Sequence, residues 1–135
     1  MYAIASALAA SATAILAKIG IREVPSNLAV GVRTAVVLVF SWGIVLATRE
    51  LGELRSLNAR SLTFLVLSGI STGASWLTYF KALQMAPASR VAPIDKASLA
   101  FTVVLSAIFL GEHISWKLGL GATLMIVGAL ITLSA

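Results

Sequence analysis

The sequence predicts an all-α membrane protein of five transmembrane helices, and three observations carry that prediction. Of its 135 residues, 59% are hydrophobic and only 11% charged, against about 25% charged in an ordinary soluble domain. The mean hydropathy is +1.00. The apolar residues are also gathered into stretches that meet or approach the roughly 20 residues a helix needs to cross a hydrocarbon core about 30 Å thick. These spans are expected over residues 2–20, 27–48, 61–80, 88–110 and 114–133, within a single domain of residues 1–135.

The first span is dominated by Ala and Ser and holds one charge, Lys18, near its end. A cleaved secretory signal would need a basic region ahead of its apolar run. Residues 1–17 carry no charged side chain, so a retained helix is expected. A short turn with Arg22, Glu23 and Pro25 leads to the second span, in which Arg33 is the only charge. Residues 49–60 form the longest polar loop. The third span, 61–80, is uncharged and stops just before Lys81. The fourth is harder to place, because Pro87, Arg90, Pro93, Asp95 and Lys96 precede its uncharged run; a start near Ala88 with a kink near Pro93 fits best. Gly111, Glu112 and His113 make a turn, and the fifth span follows with Lys117 near its head.

An odd number of spans puts the two termini on opposite sides of the membrane. Orientation follows the Lys and Arg of the short loops. Arg49, Arg55, Arg60 and Lys117 lie on the N-terminal side, and Lys18, Arg22, Lys81 and Arg90 on the other. So weak a bias suits a protein that inserts both ways round; the alternative is one orientation, fixed by the arginines of the 49–60 loop. Five helices are too few to enclose a route with alternating access. Transporters meet that need with two repeats related by an in-plane pseudo-two-fold axis, and an antiparallel pair of odd-numbered units supplies the same relation.

Charge inside the hydrocarbon costs about 2.5–3.5 kcal/mol at a helix centre, so such residues are functional candidates by default. Arg33, Asp95 and Lys96 are the strongest. Lys18 joins them; the other reading is that Lys18 and Lys96 snorkel to the interface and that Asp95 pairs with a neighbour to lower its own cost. Ser98, Thr102 and Ser106 fall within about 60° of Asp95 on the fourth helix, making one polar stripe, whereas Lys96 points about 100° away. Ser68, Thr72, Ser75 and Tyr79 form a comparable stripe on the third helix, with Trp76 beside it. Hydroxyls alone are weak indicators, since they can bond back to their own helix. Two stripes with aromatics fit better the mixed walls of a metabolite cavity. Pro93 either deprives the Ser89 carbonyl of its donor at a wet cavity or sits harmlessly in a first turn. Gly69 and Gly73 form a GxxxG, and Gly121 and Gly128 suit the fifth helix to an interface between copies.

Several function classes are excluded. The net charge of +5 forms no basic patch of the kind that binds nucleic acid. There is no cysteine, and His113 has no partner at metal-ligand spacing. No phosphate-cradling loop or nucleophile elbow occurs, so neither an enzyme nor a cofactor or metal is expected.

Certain segments resemble a known family. The small-residue first helix ending in Lys18, NLAVGVR at 27–33, TYFKAL at 78–83 and ASRVAPIDKASLAFTVVLSAIFLGE at 88–112 are similar to the EamA family of the drug/metabolite transporter superfamily. Most of its members carry two five-helix repeats; this sequence carries one and looks like the single-repeat members with a PIDK segment, here Pro93 to Lys96. The resemblance implies a transporter, often an exporter of amino acids or other small metabolites, with a cavity between inverted repeats. Small multidrug resistance proteins are also short, but their first-helix glutamate has no counterpart here.

The expected function is therefore secondary transport of a small polar or amphipathic metabolite by an antiparallel homodimer in a prokaryotic inner membrane, with lipid as its other partner. Arg33, Asp95, Lys96, Ser98, Thr102, Ser75, Trp76, Tyr79 and Lys18 are the expected binding or coupling residues. A heterodimer subunit or a non-transporting scaffold is the alternative.

Overall fold

Apolar runs bounded by proline, glycine and charge leave the backbone in lipid no partner but itself, and helix is the only local answer. The computed structural model describes residues 1–134, and every regular element among them is helical. Helix α1 is Tyr2–Gly20 and α2 is Ser26–Ala47, starting directly after the extended Pro25. Arg49 adopts a left-handed conformation at φ 59°, which ends α2 and starts a 3-10 segment at Glu50–Ser56 that folds back on α2. Asn58 then caps α3, its Oδ1 accepting the Ser61 N–H at 2.7 Å.

Helix α3 covers Ala59–Met85, 27 residues, or about 40 Å at 1.5 Å per residue. It runs past Phe80, where the charge of Lys81 had suggested a stop, because a helix ends on backbone constraints rather than on charge. Pro87 supplies that constraint and heads α4, Ala88–Lys96. After a break at Ala97 come α5, Ser98–Leu105, and one π-turn, Ser106–Leu110. Gly111 closes the run at φ 68°, and the Ser106 carbonyl accepts from both Gly111 and Glu112. Only a residue at ease with positive φ fits this position. Helix α6, Trp116–Ser134, is capped by Ser115, whose Oγ accepts the Leu118 N–H at 3.2 Å.

Among the described residues, three helical stretches are long and apolar enough to cross a membrane: Tyr2–Gly20, Ser26–Ala47 and Ala88–Leu110. The apolar part of α6, Trp116–Thr132, is shorter. α3 is long enough, but Ser68, Ser71, Thr72, Ser75, Thr78 and Tyr79 dilute its apolar character.

The chain forms two units. One comprises Met1–Ile15 and the chain from Met85 onward. In it α6 packs along α4 and α5, with Val91, Ala100 and Ala129 buried. Small side chains at Ala100 and Ala129 let helix backbones approach where lipid gives no hydrophobic drive for packing. The other unit is Leu16–Gln84, and its buried residues are Ile21, Ser26, Val30, Phe80 and Leu83. All five lie just after the end of α1, at the start of α2 or at the end of α3, so the buried part of this unit is at one end. The outer stretches of α2 and α3 remain exposed, as lipid-facing surface would be.

Candidate functional site

Arg33 is the eighth residue of α2, about 10 Å along the helix from its start. No Asp or Glu occurs anywhere in α1, α2 or α3. The guanidinium is instead met by aromatic rings: its Cζ lies 4.1 Å from the centroid of Trp76 and 5.5 Å from that of Phe80. Trp76 and Phe80 are four residues apart on α3 and so share a face. Tyr79 meets Phe80 edge to face, with centroids 6.3 Å apart and planes at 63°. A cation over an aromatic face gains about 0.5–2 kcal/mol. Set against about 2.5–3.5 kcal/mol for a charge deep in a membrane helix, the rings offset part of the cost and leave room for an anion.

Lys18, the cation near the end of α1, is used differently. Lys18 Nζ donates to the carbonyl of Leu83. That carbonyl belongs to the last turn of α3, where intrahelical donors have run out, and a cation there also suits the helix dipole. Lys18 thus caps α3 and ties the end of α1 to it. Gln84 adds a second tie, its Nε2 donating to the Val24 carbonyl at 2.8 Å. Lys18, Ile21, Arg22, Leu83 and Gln84 line a cavity of about 310 Å³ at this corner.

Asp95 and Lys96, in the other unit, form an ion pair with Nζ to Oδ2 at 3.2 Å. Their Cβ directions diverge on the helix, as the spacing requires, yet the long lysine stem reaches back to its neighbour. Their side chains are 34% and 57% exposed respectively, and together they carry no net charge. Pro93 is the sixth residue of α4, beyond the first turn, so the Ser89 carbonyl lacks its usual donor. The helix tightens just after, with the Ala97 N–H shared between the carbonyls of Pro93 and Ile94.

The hydroxyl stripes are largely turned inward on their own helices. Thr102 donates to the Ser98 carbonyl at 3.0 Å and Ser106 to that of Val103 at 3.0 Å. On α3, Thr72 donates to Ser68 at 2.9 Å and Thr78 to Ser75 at 2.9 Å. Back-bonding of this kind removes a hydroxyl from the list of strong ligand contacts.

Of the residues the sequence singled out, the structure brings Arg33, Trp76 and Tyr79 to one place and sets Lys18 at the end of the same unit. Ser75 lies beside Trp76 in sequence, one helical step round. Asp95, Lys96, Ser98 and Thr102 belong to the other unit. Sequence reasoning passed over Phe80, Leu83 and Gln84. The available signal was spacing: Phe80 and Leu83 stand four and seven residues after Trp76, on its face.

Compared with known proteins, the sequence matches a family described as EamA-like transporters over residues 1–134. A Sinorhizobium sp protein described as an uncharacterized transporter in the cobO 3' region is 40% identical over 130 residues, which is 96% of this chain and 92% of that protein. No solved structure matches.

Proposed function

This chain belongs to the EamA-like transporter family, and from that premise we propose that it exports small polar or amphipathic metabolites by alternating access between two antiparallel copies. It is an integral membrane transporter with a small molecule as its substrate. In the proposed arrangement α3 and α6 also cross the bilayer, giving five spans per copy in a prokaryotic inner membrane. Two copies then provide ten helices related by inversion, and the sites of the two copies alternate in access as the halves rock.

The observation that carries this reading is the half-buried Arg33, held 4.1 Å over Trp76 inside a membrane helix and not by a carboxylate. A cation kept at that cost on one face of an aromatic pair is suited to a passing ligand. Tyr79 and Ser75 would complete the polar part of the wall. Asp95 would carry the coupling proton, exchanging Lys96 for it during the cycle, with Ser98 and Thr102 beside it.

Purified protein in proteoliposomes, challenged with a panel of labelled metabolites under an imposed pH gradient, tests the proposal. Uptake by the single protein is expected, and Asp95→Asn should remove its dependence on the gradient. The chain is free of cysteine, so single cysteines near each terminus report sidedness directly. Labelling of each terminus from both sides is the expected result. One fixed orientation together with no uptake would replace the homodimer by a subunit that needs a different partner chain.

A further inference from the structure

The geometry points to a carboxylate as the group Arg33 receives, so that the ligand of this site is an amphipathic organic acid docking edge-on against the guanidinium. The inference rests on the transporter reading only for the word substrate; the binding site stands on Arg33, Trp76 and Phe80.

Three observations converge on it. Trp76 and Phe80 lie 4.1 and 5.5 Å from the Arg33 Cζ and meet its positive charge through their ring faces. Ring faces do not supply the in-plane oxygen acceptors that five guanidinium N–H bonds call for. Among the described residues no carboxylate supplies them either. Among the described residues the one ion pair is Asp95 with Lys96, and the acidic residues of the Leu16–Gln84 unit, Glu23, Glu50 and Glu53, all lie outside α1, α2 and α3.

A guanidinium presents its N–H edge as a planar, bidentate surface that matches a carboxylate. One unit of positive charge balances a monoanion. A phosphate dianion would need a second cation, and Lys18 of this unit is bonded to the end of α3. Beside the fork, Trp76 and Phe80 offer apolar surface to the body of the acid. A lysine at position 33 would keep the charge and lose the plane.

The test uses the full chain in nanodiscs with Trp42→Phe and Trp116→Phe, which leaves Trp76 as the sole indole of the three. Benzoate should quench its fluorescence saturably, and benzamide, the same shape without the charge, should not. Arg33→Gln should abolish the response, and Arg33→Lys should weaken it at least tenfold. Equal responses to benzoate and benzamide, or an unchanged response in Arg33→Gln, would overturn the inference. Should Arg33→Gln fail to fold, full affinity in Arg33→Lys overturns planar docking. Inorganic phosphate displacing benzoate at equal concentration overturns the preference for a carboxylate. Benzoate binding by a protein that moves no metabolite keeps this site and removes the transporting homodimer; uptake of neutral metabolites without any benzoate response does the reverse.

Discussion

Arg33 and Asp95 both place an ionisable group within a membrane helix, and the chain accommodates them by opposite means. Asp95 is neutralised by the residue that follows it, Lys96, at 3.2 Å, so the pair carries its compensation with it. Arg33 is met by two aromatic rings of another helix and by no acid. The first arrangement is electrically closed. The second keeps a net positive charge in the membrane, and its partial stabilisation depends on α2 and α3 staying together. The difference teaches where a ligand can gain most: an anion meeting Arg33 finds an unpaired charge, whereas any ligand meeting Asp95 must first displace Lys96.

The largest effect should come from breaking the open side of this comparison. Bidentate, charge-assisted hydrogen bonds contribute about 1.5–3 kcal/mol. Arg33→Gln should therefore lower uptake of a small monocarboxylate by about 100-fold in proteoliposomes, with Arg33→Lys in between. Neutralising both members of the closed pair, Asp95→Asn with Lys96→Gln, should cost binding of the same acid far less. Equal losses would mean that the two regions serve the ligand together.

Packing should show the next largest contrast. Leu83 is fully buried at 0% exposure, beside the carbonyl that Lys18 caps, whereas Ile94 next to Asp95 is 39% exposed. Leu83→Ala should cost about 2 kcal/mol, the low end for a buried leucine because lipid replaces water as the reference. Ile94→Ala should stay within about 0.5 kcal/mol, the range of exposed positions. Unfolding in a mixed-micelle titration reads both. A larger loss at Ile94 would locate the firm end of the molecule at α4 instead.

Much of this was legible in the sequence because the relevant contrasts are contrasts of polarity. A charge in an apolar run stands out, so Arg33, Asp95 and Lys96 were readable, and so were the apolar helices themselves. Phe80 and Leu83 were not. In a membrane helix both the lipid-facing and the packed faces are apolar, so periodicity does not separate a buried Phe80 at 2% exposure from Phe64 at 62%. The break at Ala97 and the π-turn at Ser106–Leu110 were equally hidden, since neither position carries a residue that forbids α-helix. Pro93 announced an irregularity but not its location four residues on. Lys18 left two readings open, and the choice between them depends on where the last turn of α3 falls.

The closed pair can be sharpened by a double-mutant cycle. Asp95→Asn leaves Lys96 charged and alone, and Lys96→Gln leaves Asp95 so; the double variant leaves neither. At partial exposure the pair should be worth about 1 kcal/mol of coupling, above the median for exposed pairs and well below a fully buried one. The double variant should accordingly be more stable than the sum of the single losses predicts. Additive losses in the same micelle titration would show that Asp95 and Lys96 do not compensate each other, and the distinction from Arg33 would lapse.

The smallest effect concerns what the rings contribute beyond apolar surface. Trp76→Phe keeps an aromatic face under the guanidinium, and Trp76→Leu removes it at similar hydrophobicity. If the face, 4.1 Å from the Arg33 Cζ, holds the guanidinium for the acid, the leucine variant should lose about 2–5-fold in carboxylate affinity relative to phenylalanine, equivalent to about 0.5–1 kcal/mol of cation–π interaction. The variants should differ little in affinity for an uncharged amide of the same shape. A loss common to acid and amide would assign Trp76 to packing alone. A loss confined to the acid would tie the open charge of α2 to the aromatic face of α3, because the ring touches the acid's charge only through Arg33.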